Sequence, residues 1–216
     1  MILGGQDGLV NILGIILGVI AGGGSDTVLL AAGFAAAITE SISMGAVGYT
    51  SAMSERDYYD AERLREADEV DTMPDAERQE VREIYRAKGF SGDLLDRVVE
   101  TITADRETWV ATMMSEELHL QPVSTRDILR TAVIITIATL IIGHLIPLVP
   151  FLVMPREPAL VLAIALSGIT LFGVGVYSAV TLVGDWRTSG LKMLVIGLGA
   201  AGVGFIVGRL FNAAGA

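Results

Sequence analysis

The chain has 216 residues, of which 52% are hydrophobic and 25 are glycine, and its formal net charge is −10. This composition is typical of packed membrane helices and not of a water-soluble globular domain. Cysteine is absent, which excludes disulfide bonds and cysteinyl zinc sites. Any metal ion must therefore be bound by carboxylate, thioether, imidazole or backbone oxygen groups.

Apolar runs of the length that crosses a bilayer, about 20 helical residues, occur five times along the chain. The sequence therefore predicts an all-α integral membrane protein. Residues 1–53 hold transmembrane helices 1 and 2, residues 54–125 form an inserted cytosolic domain, and residues 126–216 hold transmembrane helices 3–5. The five predicted spans are Ile2 to Gly22, Val28 to Met53, Ile128 to Val149, Ala159 to Leu182 and Leu191 to Phe211.

The charged residues are concentrated in the inserted segment. Between Ser54 and Arg126 lie 19 of the 25 acidic residues and 10 of the 15 basic ones. No cluster of basic residues outweighs the acidic residues around it, which argues against a nucleic-acid partner and favours cations as ligands. Five basic residues flank one side of the predicted spans and two flank the other, so the inserted domain and the amino terminus are predicted to be cytoplasmic. The flanking residues are Arg56, Arg126, Arg130, Arg187 and Lys192 against Arg156 and Arg209.

The inserted segment is predicted to form three helices, of which the first continues the second span. The second helix covers Met73 to Lys88 and begins with a capping box at Thr72. A turn at Gly92 to Ile102 separates it from the third helix, which begins at Thr103 and ends near Leu120.

Small residues recur every four positions in the first and fifth spans, which allows close approach of two helix backbones. Such faces pack either within one chain or between two copies, and the sequence leaves both alternatives open. The residues are Gly14, Gly18 and Gly22 in the first span and Ala200, Gly204 and Gly208 in the fifth.

Acidic side chains on the predicted cytosolic helices are spaced to share helix faces, and methionines precede two of them by one turn. Carboxylate oxygen combined with thioether sulfur favours iron(II) or manganese(II) over calcium. The alternative is a solvated acidic surface neutralised by arginines, with the methionines in the core. The candidate metal ligands are Glu62, Glu66, Glu69, Glu77, Glu80, Met113, Met114, Glu116 and Glu117.

Polar side chains inside the predicted spans form a candidate ion pathway. An ionisable group within the bilayer costs about 2.5 to 3.5 kcal/mol or more, so Glu40 requires a functional reason, whereas Asp7 can also be a helix cap near the interface. Asn11 lies one turn after Asp7, and Met44 lies one turn after Glu40. His144, in the third span, is either a proton relay or an interhelical hydrogen-bond partner, and the second role is favoured.

Several stretches together resemble the vacuolar iron transporter family and its prokaryotic relatives over nearly the whole chain. They are the Asp-Gly signature within Gly5 to Asn11, the Ser-Met-Gly sequence at Ser43 to Gly45, and the last loop from Arg187 to Met193. The resemblance implies a homodimer in the cell membrane that moves iron(II), and often manganese(II), out of the cytoplasm in exchange for protons. It implies a transporter, not an enzyme, without an organic cofactor. The sequence does not rank cobalt(II) or zinc(II) against iron(II) as the transported ion.

Carried over by position, the resemblance assigns Asp7 and Met44 to the intramembrane pathway. The chain departs from plant-type members at Ala36, where they have a carboxylate, and Glu40, one turn closer to Met44, is the candidate replacement. The positions that match cytosolic metal-binding residues are Glu66, Glu69, Glu77, Glu80, Met113 and Glu117.

The alternative function is a membrane-anchored protein that binds metal or oxidises iron without transporting it. An anchor has no need to bury Asp7, Glu40 and Met44 in the bilayer. Helical iron-carboxylate oxidases place a Glu-x-x-His pair on each of two helices, and the sequence has this spacing only once, from Glu116 to His119. Both observations favour transport.

Overall fold

The computed structural model describes residues 2–182 and 184–214, and within these residues the chain is helical without a β-strand. Residues 1, 183, 215 and 216 of the predicted domains lie outside the described residues. In chain order the elements are α1 (Ile2–Ala21), α2 (Asp26–Thr72), α3 (Pro74–Ala87), α4 (Gly92–Thr103), α5 (Arg106–Glu116), α6 (Thr125–Ala138), a π-helical segment (Thr139–Leu145), α7 (Ile146–Leu148), α8 (Pro150–Val153), α9 (Arg156–Leu182) and α10 (Trp186–Ala214).

Four helical stretches are long and apolar enough to cross a membrane, among the residues that the structure describes. They lie in α2, in the continuous stretch Thr125–Leu148, in α9 and in α10. The all-α prediction is thereby confirmed, and four of the five predicted spans have the length and composition of membrane-crossing helices. The apolar part of α1, Gly5–Ala21, is shorter, so its assignment as a fifth span stays a prediction.

The chain divides into two compact units. The membrane unit comprises the described residues up to Tyr49 and from Leu129 onward, and the inserted unit comprises Thr50–Ile128. The helix α2 contributes its first part to the membrane unit and its second part to the inserted unit. The cytosolic location and metal-binding role of the inserted segment stay predictions.

Glycines bring α1 and α10 into backbone contact in the membrane unit. A Cβ atom added to Gly204 would lie 2.4 Å from the carbonyl oxygen of Gly14, and one added to Gly208 would lie 2.1 Å from that of Gly18. No side chain fits at either position without moving a helix. The small-residue faces therefore pack against each other within one chain, which answers the question that the sequence left open.

The predicted third span is not a uniform α-helix, because a π-helical segment from Thr139 to Leu145 interrupts it. Pro147 follows closely and has no backbone N–H to donate to residue 143. The residue four positions before it is Gly143, whose Cα lies close to α1: a Cβ added to Gly143 would be 3.1 Å from the Cα of Gly8. The wide turn thus coincides with a close contact between two helices.

The inserted unit has an apolar core between the end of α2 and the helices α3, α4 and α5. The prediction of three helices and a turn is wrong here, because Gly92–Thr103 is itself a helix. Leu95 and Val99, one turn apart, place its buried face in the core. The buried core residues are Val70, Val81, Leu95, Val99, Trp109, Val110, Met113 and Met114.

Two predicted helix caps are also wrong. The hydroxyl of Thr72 donates to the carbonyl of Asp68, at 2.8 Å, because α2 extends to that residue. The predicted third helix begins after Asp105, whose carboxylate accepts from the backbone N–H of Thr108 at 2.9 Å. Thr103 instead is the last residue of α4.

Candidate functional site

The carboxylate of Glu40 lies between two other helical segments of the membrane unit. The amide nitrogen of Asn11, on α1, donates to Oε1 of Glu40 at 3.0 Å. Oε2 of Glu40 lies 3.2 Å from Nε2 of His144, in the π-helical segment. The structure therefore brings together two predicted pathway residues, Asn11 and Glu40, and a third residue that the prediction had not placed in the pathway. We call these three residues the Glu40 cluster.

His144 is fully buried, and both of its ring nitrogens have partners. Nδ1 lies 2.9 Å from the carbonyl oxygen of Thr139. Because a carbonyl oxygen only accepts, Nδ1 must carry the hydrogen of this bond. In the neutral ring Nε2 is then an acceptor, so its contact with Glu40 requires one hydrogen, held either by Nε2 or by the carboxyl group. The structure thus matches the interhelical hydrogen-bond role that the sequence favoured for His144.

The two remaining predicted pathway residues each lie one helical turn from a member of the Glu40 cluster. Asp7 is exposed and lies one turn before Asn11 on α1, and Met44 is half-buried and lies one turn after Glu40 on α2. Ala36 is half-buried and packs against an apolar cluster that includes Ile12, Ile16 and Leu148. The environment of Ala36 is therefore apolar, and the polar contacts lie one turn further along α2.

The inserted unit brings three predicted ligands together. One carboxylate oxygen from each of Glu66, Glu69 and Glu77 lies within 4.8 Å of the others. Glu66 is 1% exposed and Glu77 is 4% exposed. Oε1 of Glu66 and Oε2 of Glu77 are buried without a hydrogen-bond partner among the described residues. We call these three residues the acidic cluster.

Burial and mutual repulsion raise the pKa values of this region. Loss of hydration, followed by the hydrogen bond with Glu77 and the nearby negative charges, raises the pKa of Glu66 to about 8. Loss of hydration is also the main cause that raises the pKa of Glu77, with the charges of Glu80 and Glu69 acting in the same direction. The pKa of Glu117 is raised by loss of hydration and by the charges of Glu80, Glu77 and Glu69. Without a bound cation, the acidic cluster therefore retains a proton near neutral pH.

Three of the four arginines that were expected to neutralise the acidic face bind other partners, whereas the fourth, Arg65, pairs with Glu62 at 2.7 Å. Arg63 pairs with Glu107 at 2.6 Å, Arg82 pairs with Asp96, and Arg78 lies 5.5 Å from the ring centre of Trp109 and donates to Thr103. Within the described ranges, no ion pair involves the acidic cluster, although the charge of Arg65 lowers the pKa values of Glu77 and Glu117 slightly. The three carboxylates are therefore not balanced by contact with a basic side chain.

Other predicted ligands are already paired or occupy different environments. Glu62 forms an ion pair with Arg65 at 2.7 Å, and Glu116 forms one with Lys88. Glu80 and Glu117 are exposed residues whose charges act on the acidic cluster. Met113 and Met114 lie in the apolar core of the inserted unit, as the alternative interpretation expected, so a ligand role for either sulfur stays a prediction.

The acidic cluster has the chemistry of a site for a hard divalent cation. Its ligand atoms are carboxylate oxygens, which suit magnesium, calcium, manganese and iron(II) better than softer ions. A cation would lower the mutual repulsion and give the unpaired buried oxygens a partner. Because the ligands must be deprotonated, its binding would release the proton held by Glu66.

Comparison with known proteins gives consistent matches over most of the chain. A family model described as the VIT family matches residues 1–209. A vacuolar iron transporter of Centaurea cyanus is 36% identical over 155 residues, which cover 72% of this chain and 63% of the relative. Vacuolar iron transporter 1 of Arabidopsis thaliana is 33% identical over 177 residues, which cover 82% of this chain and 70% of the relative.

A vacuolar iron transporter of Toxoplasma gondii is 31% identical over 223 aligned positions, which cover 98% of this chain and 73% of the relative. The matched part therefore spans less than two thirds of the Centaurea relative and somewhat more of the other two. The similarity extends over both the membrane unit and the inserted unit.

Proposed function

Because the chain belongs to the VIT family, as its sequence motifs indicated, we propose that it is a membrane transporter that exports iron(II) from the cytoplasm. Manganese(II) is its second substrate, and export is coupled to the inward movement of protons. The working assembly is a homodimer in the cell membrane, with the amino terminus and the inserted unit in the cytoplasm. The names of the relatives, all vacuolar iron transporters, support the substrate class.

The Glu40 cluster is the observation that carries this proposal. Glu40 lies in an apolar helix, and its two oxygens contact Asn11 and His144 from two other helical segments. A helix that only anchors a protein gains nothing from a carboxylate, because the group is costly in lipid. A carboxylate held among helices of a membrane unit is typical of ion and proton pathways.

The contact between Asn11 and Glu40 also supports α1 as the fifth span. Asn11 lies near the middle of α1, and Glu40 lies within the apolar part of α2. The two helices therefore lie next to each other at the Glu40 cluster. With five spans and a cytoplasmic amino terminus, the carboxyl end of α10 lies on the opposite side of the membrane.

The acidic cluster is the proposed collecting site for the ion. Glu66, Glu69 and Glu77 converge within 4.8 Å and lack basic partners among the described residues. In the proposal, iron(II) binds here from the cytoplasm and then passes to Asp7, Glu40 and Met44. The buried position of Glu66 and Glu77 favours a dehydrated, tightly held ion over loosely attracted counterions.

The exposure of Asp7 and Asn11 supports a homodimer. Both residues are exposed in the single chain, and a charged side chain that faced lipid would be costly. A second copy that covers this face would remove that cost and would place the ion path along the interface. In the proposal, protons pass through the same carboxylates, and the hydrogen held between Glu40 and His144 is one that the exchange can use.

Iron(II) flux into proteoliposomes tests the proposal directly. Purified chain is reconstituted around a trapped fluorescent iron chelator, and iron(II) is added under reducing conditions with and without an acidic lumen. Flux into vesicles should require the chain and should increase with the proton gradient. Asp7→Ala and Glu40→Ala should each reduce the flux strongly, whereas Glu157→Gln, at an exposed carboxylate in the first turn of α9, should not.

The same preparation separates transport from the alternative function. If iron(II) addition consumes oxygen while no iron enters the vesicles, the chain is an anchored iron oxidase. If flux is the same in wild type, Asp7→Ala and Glu40→Ala, the pathway assignment is wrong.

A further inference from the structure

His144 is held more rigidly than its role as a simple packing residue requires. Its ring is 0% exposed, and Nδ1 binds the carbonyl of Thr139, five residues earlier. A Cβ added to Gly8 would lie 2.8 Å from Cε1 of the ring, so the backbone of α1 presses against its edge. The orientation of the ring is therefore fixed by two neighbours that are independent of Glu40.

Glu40, in contrast, has a long side chain whose position depends on its partners. Its side chain is 20% exposed, and each oxygen has one contact, to Asn11 or to His144. Asn11 is itself exposed, whereas His144 is fully buried. The fixed member of the cluster is therefore the imidazole ring, and the carboxylate takes its position from it.

We propose that His144 is a positioning residue for transport, which acts by holding Oε2 of Glu40 so that the carboxylate lies beside the Asn11 amide. The inference rests on the proposed function, because it assumes that Glu40 contacts the ion. The nitrogen of the Asn11 amide donates to Glu40, which leaves its oxygen available to the same ion. The π-helical segment provides the geometry, because its wide turn aligns Nδ1 with the carbonyl five residues earlier.

Two substitutions separate the two contacts of the ring. In His144→Gln, the side-chain amide nitrogen lies at about the position of Nε2 and can donate to Glu40. In His144→Asn, the shorter side chain places the amide nitrogen at about the position of Nδ1, from which it can contact only Thr139. If His144 positions Glu40, His144→Asn should raise the KM for iron(II) in the flux assay about ten- to hundredfold, the effect of removing a partner that orients a ligand. His144→Gln should restore most of the wild-type KM, and the melting temperatures of the two variants should agree.

Each other outcome of this experiment overturns the inference. Equal impairment of both variants, with a matching loss of thermal stability, would show a structural role for the ring. A wild-type KM in both would show that the contact with Glu40 has no effect on transport. Glu40→Ala, measured in parallel, distinguishes the two failures: if it is impaired while both His144 variants are normal, only the positioning role is wrong, and if it is normal, the proposed pathway is wrong as well.

Discussion

The two carboxylate clusters differ in how their charge is balanced. In the membrane unit, both oxygens of Glu40 have partners that the chain itself supplies, Asn11 and His144. In the inserted unit, Glu66 and Glu77 each keep a buried oxygen without a partner among the described residues. An unpaired buried polar atom costs free energy until something binds it. The acidic cluster thus keeps unpaired buried oxygens until a cation binds, whereas both oxygens of Glu40 have partners within the chain, with one hydrogen held between Glu40 and His144.

This difference suits two successive steps of transport. A site whose ligands repel one another and lack partners gains much from a bound cation, so the acidic cluster is expected to bind tightly. A carboxylate that already has two hydrogen-bond partners must share or lose them when an ion arrives, so binding there is expected to be weaker. Weak binding along a path allows an ion both to enter and to leave.

Removing two members of the acidic cluster should have the largest effect on metal binding. Glu66→Gln combined with Glu77→Gln keeps the side-chain shapes but removes two charged ligands. We expect the affinity of the full chain for manganese(II), measured by calorimetry in detergent, to fall about a hundredfold or more, since even loss of an outer partner costs about 10- to 100-fold. Glu83→Gln is the matched control, because Glu83 is an exposed carboxylate on α3 that accepts from Gln79 at 2.9 Å.

An unchanged affinity in the double variant would place the metal site elsewhere in the chain. An equal loss in Glu83→Gln would indicate a general effect of negative charge instead of a defined site. In either case the acidic cluster would not be a defined metal site, and the proposed difference between the two clusters would be wrong.

The raised pKa of Glu66 predicts how stability depends on pH without metal. Between its ordinary value of 4.5 and about 8, the folded state holds a proton on Glu66 that the unfolded chain has released. The contribution of this group is therefore fully present below pH about 4.5 and is lost as pH rises through about 8. We expect the melting temperature of the metal-free chain to fall across this window, and Glu66→Gln to flatten that part of the profile.

Fluorescence from Trp109 gives the measurement, because this residue lies in the core of the inserted unit. Trp186→Phe removes the other tryptophan of the sequence. Added manganese(II) should raise the melting temperature more at pH 8 than at pH 6, since the metal requires deprotonated carboxylates. A profile that is identical in wild type and Glu66→Gln would contradict the assigned proton.

The sequence was sufficient to predict an all-α chain and its four long apolar helices, but not the contacts that form the two clusters. Runs of apolar residues reveal membrane helices because the bilayer has a fixed thickness. Glu40 and His144 are separated by 104 residues, and nothing in the local pattern of a single sequence indicates that two such positions meet. The signal for His144 was its presence as an ionisable residue in an apolar span.

The errors in the inserted unit have local causes. Gly92 was interpreted as the start of a turn, but here a glycine with φ of +56° begins a helix. The apolar residues Leu95 and Val99, one helical turn apart, are the sequence signal for this helix that the prediction missed. Thr72 and Thr103 have the residue type of a helix cap. Each is instead the last residue of the preceding helix, α2 or α4.

A smaller effect is expected from a methyl group inserted beside the Glu40 cluster. In Gly8→Ala the new Cβ would lie 2.8 Å from His144 and 3.0 Å from the Cα of Gly143, so α1 must move away from the π-helical segment. Overpacking of this kind costs about 1–3 kcal/mol. Gly14→Ala, on the same helix, meets nothing within 4 Å and should be neutral or slightly stabilising. Thermal unfolding in detergent and the KM for iron(II) measure both effects.

Equal behaviour of the two alanine variants would mean that α1 is not pressed against His144. Loss of stability in Gly8→Ala without a change in KM would mean that transport tolerates displacement of the Glu40 cluster.

The smallest effect is expected at Glu116, which the sequence placed among the metal ligands. Because Lys88 already pairs with this carboxylate, Glu116→Gln removes a half-exposed ion pair, and such pairs are worth about 0–1 kcal/mol. The affinity for manganese(II) should therefore change by less than about fivefold. A loss as large as that of the Glu66 and Glu77 double variant would require Glu116 to leave Lys88 when the ion binds. The acidic cluster would then be a partial site that the metal completes by breaking an existing ion pair.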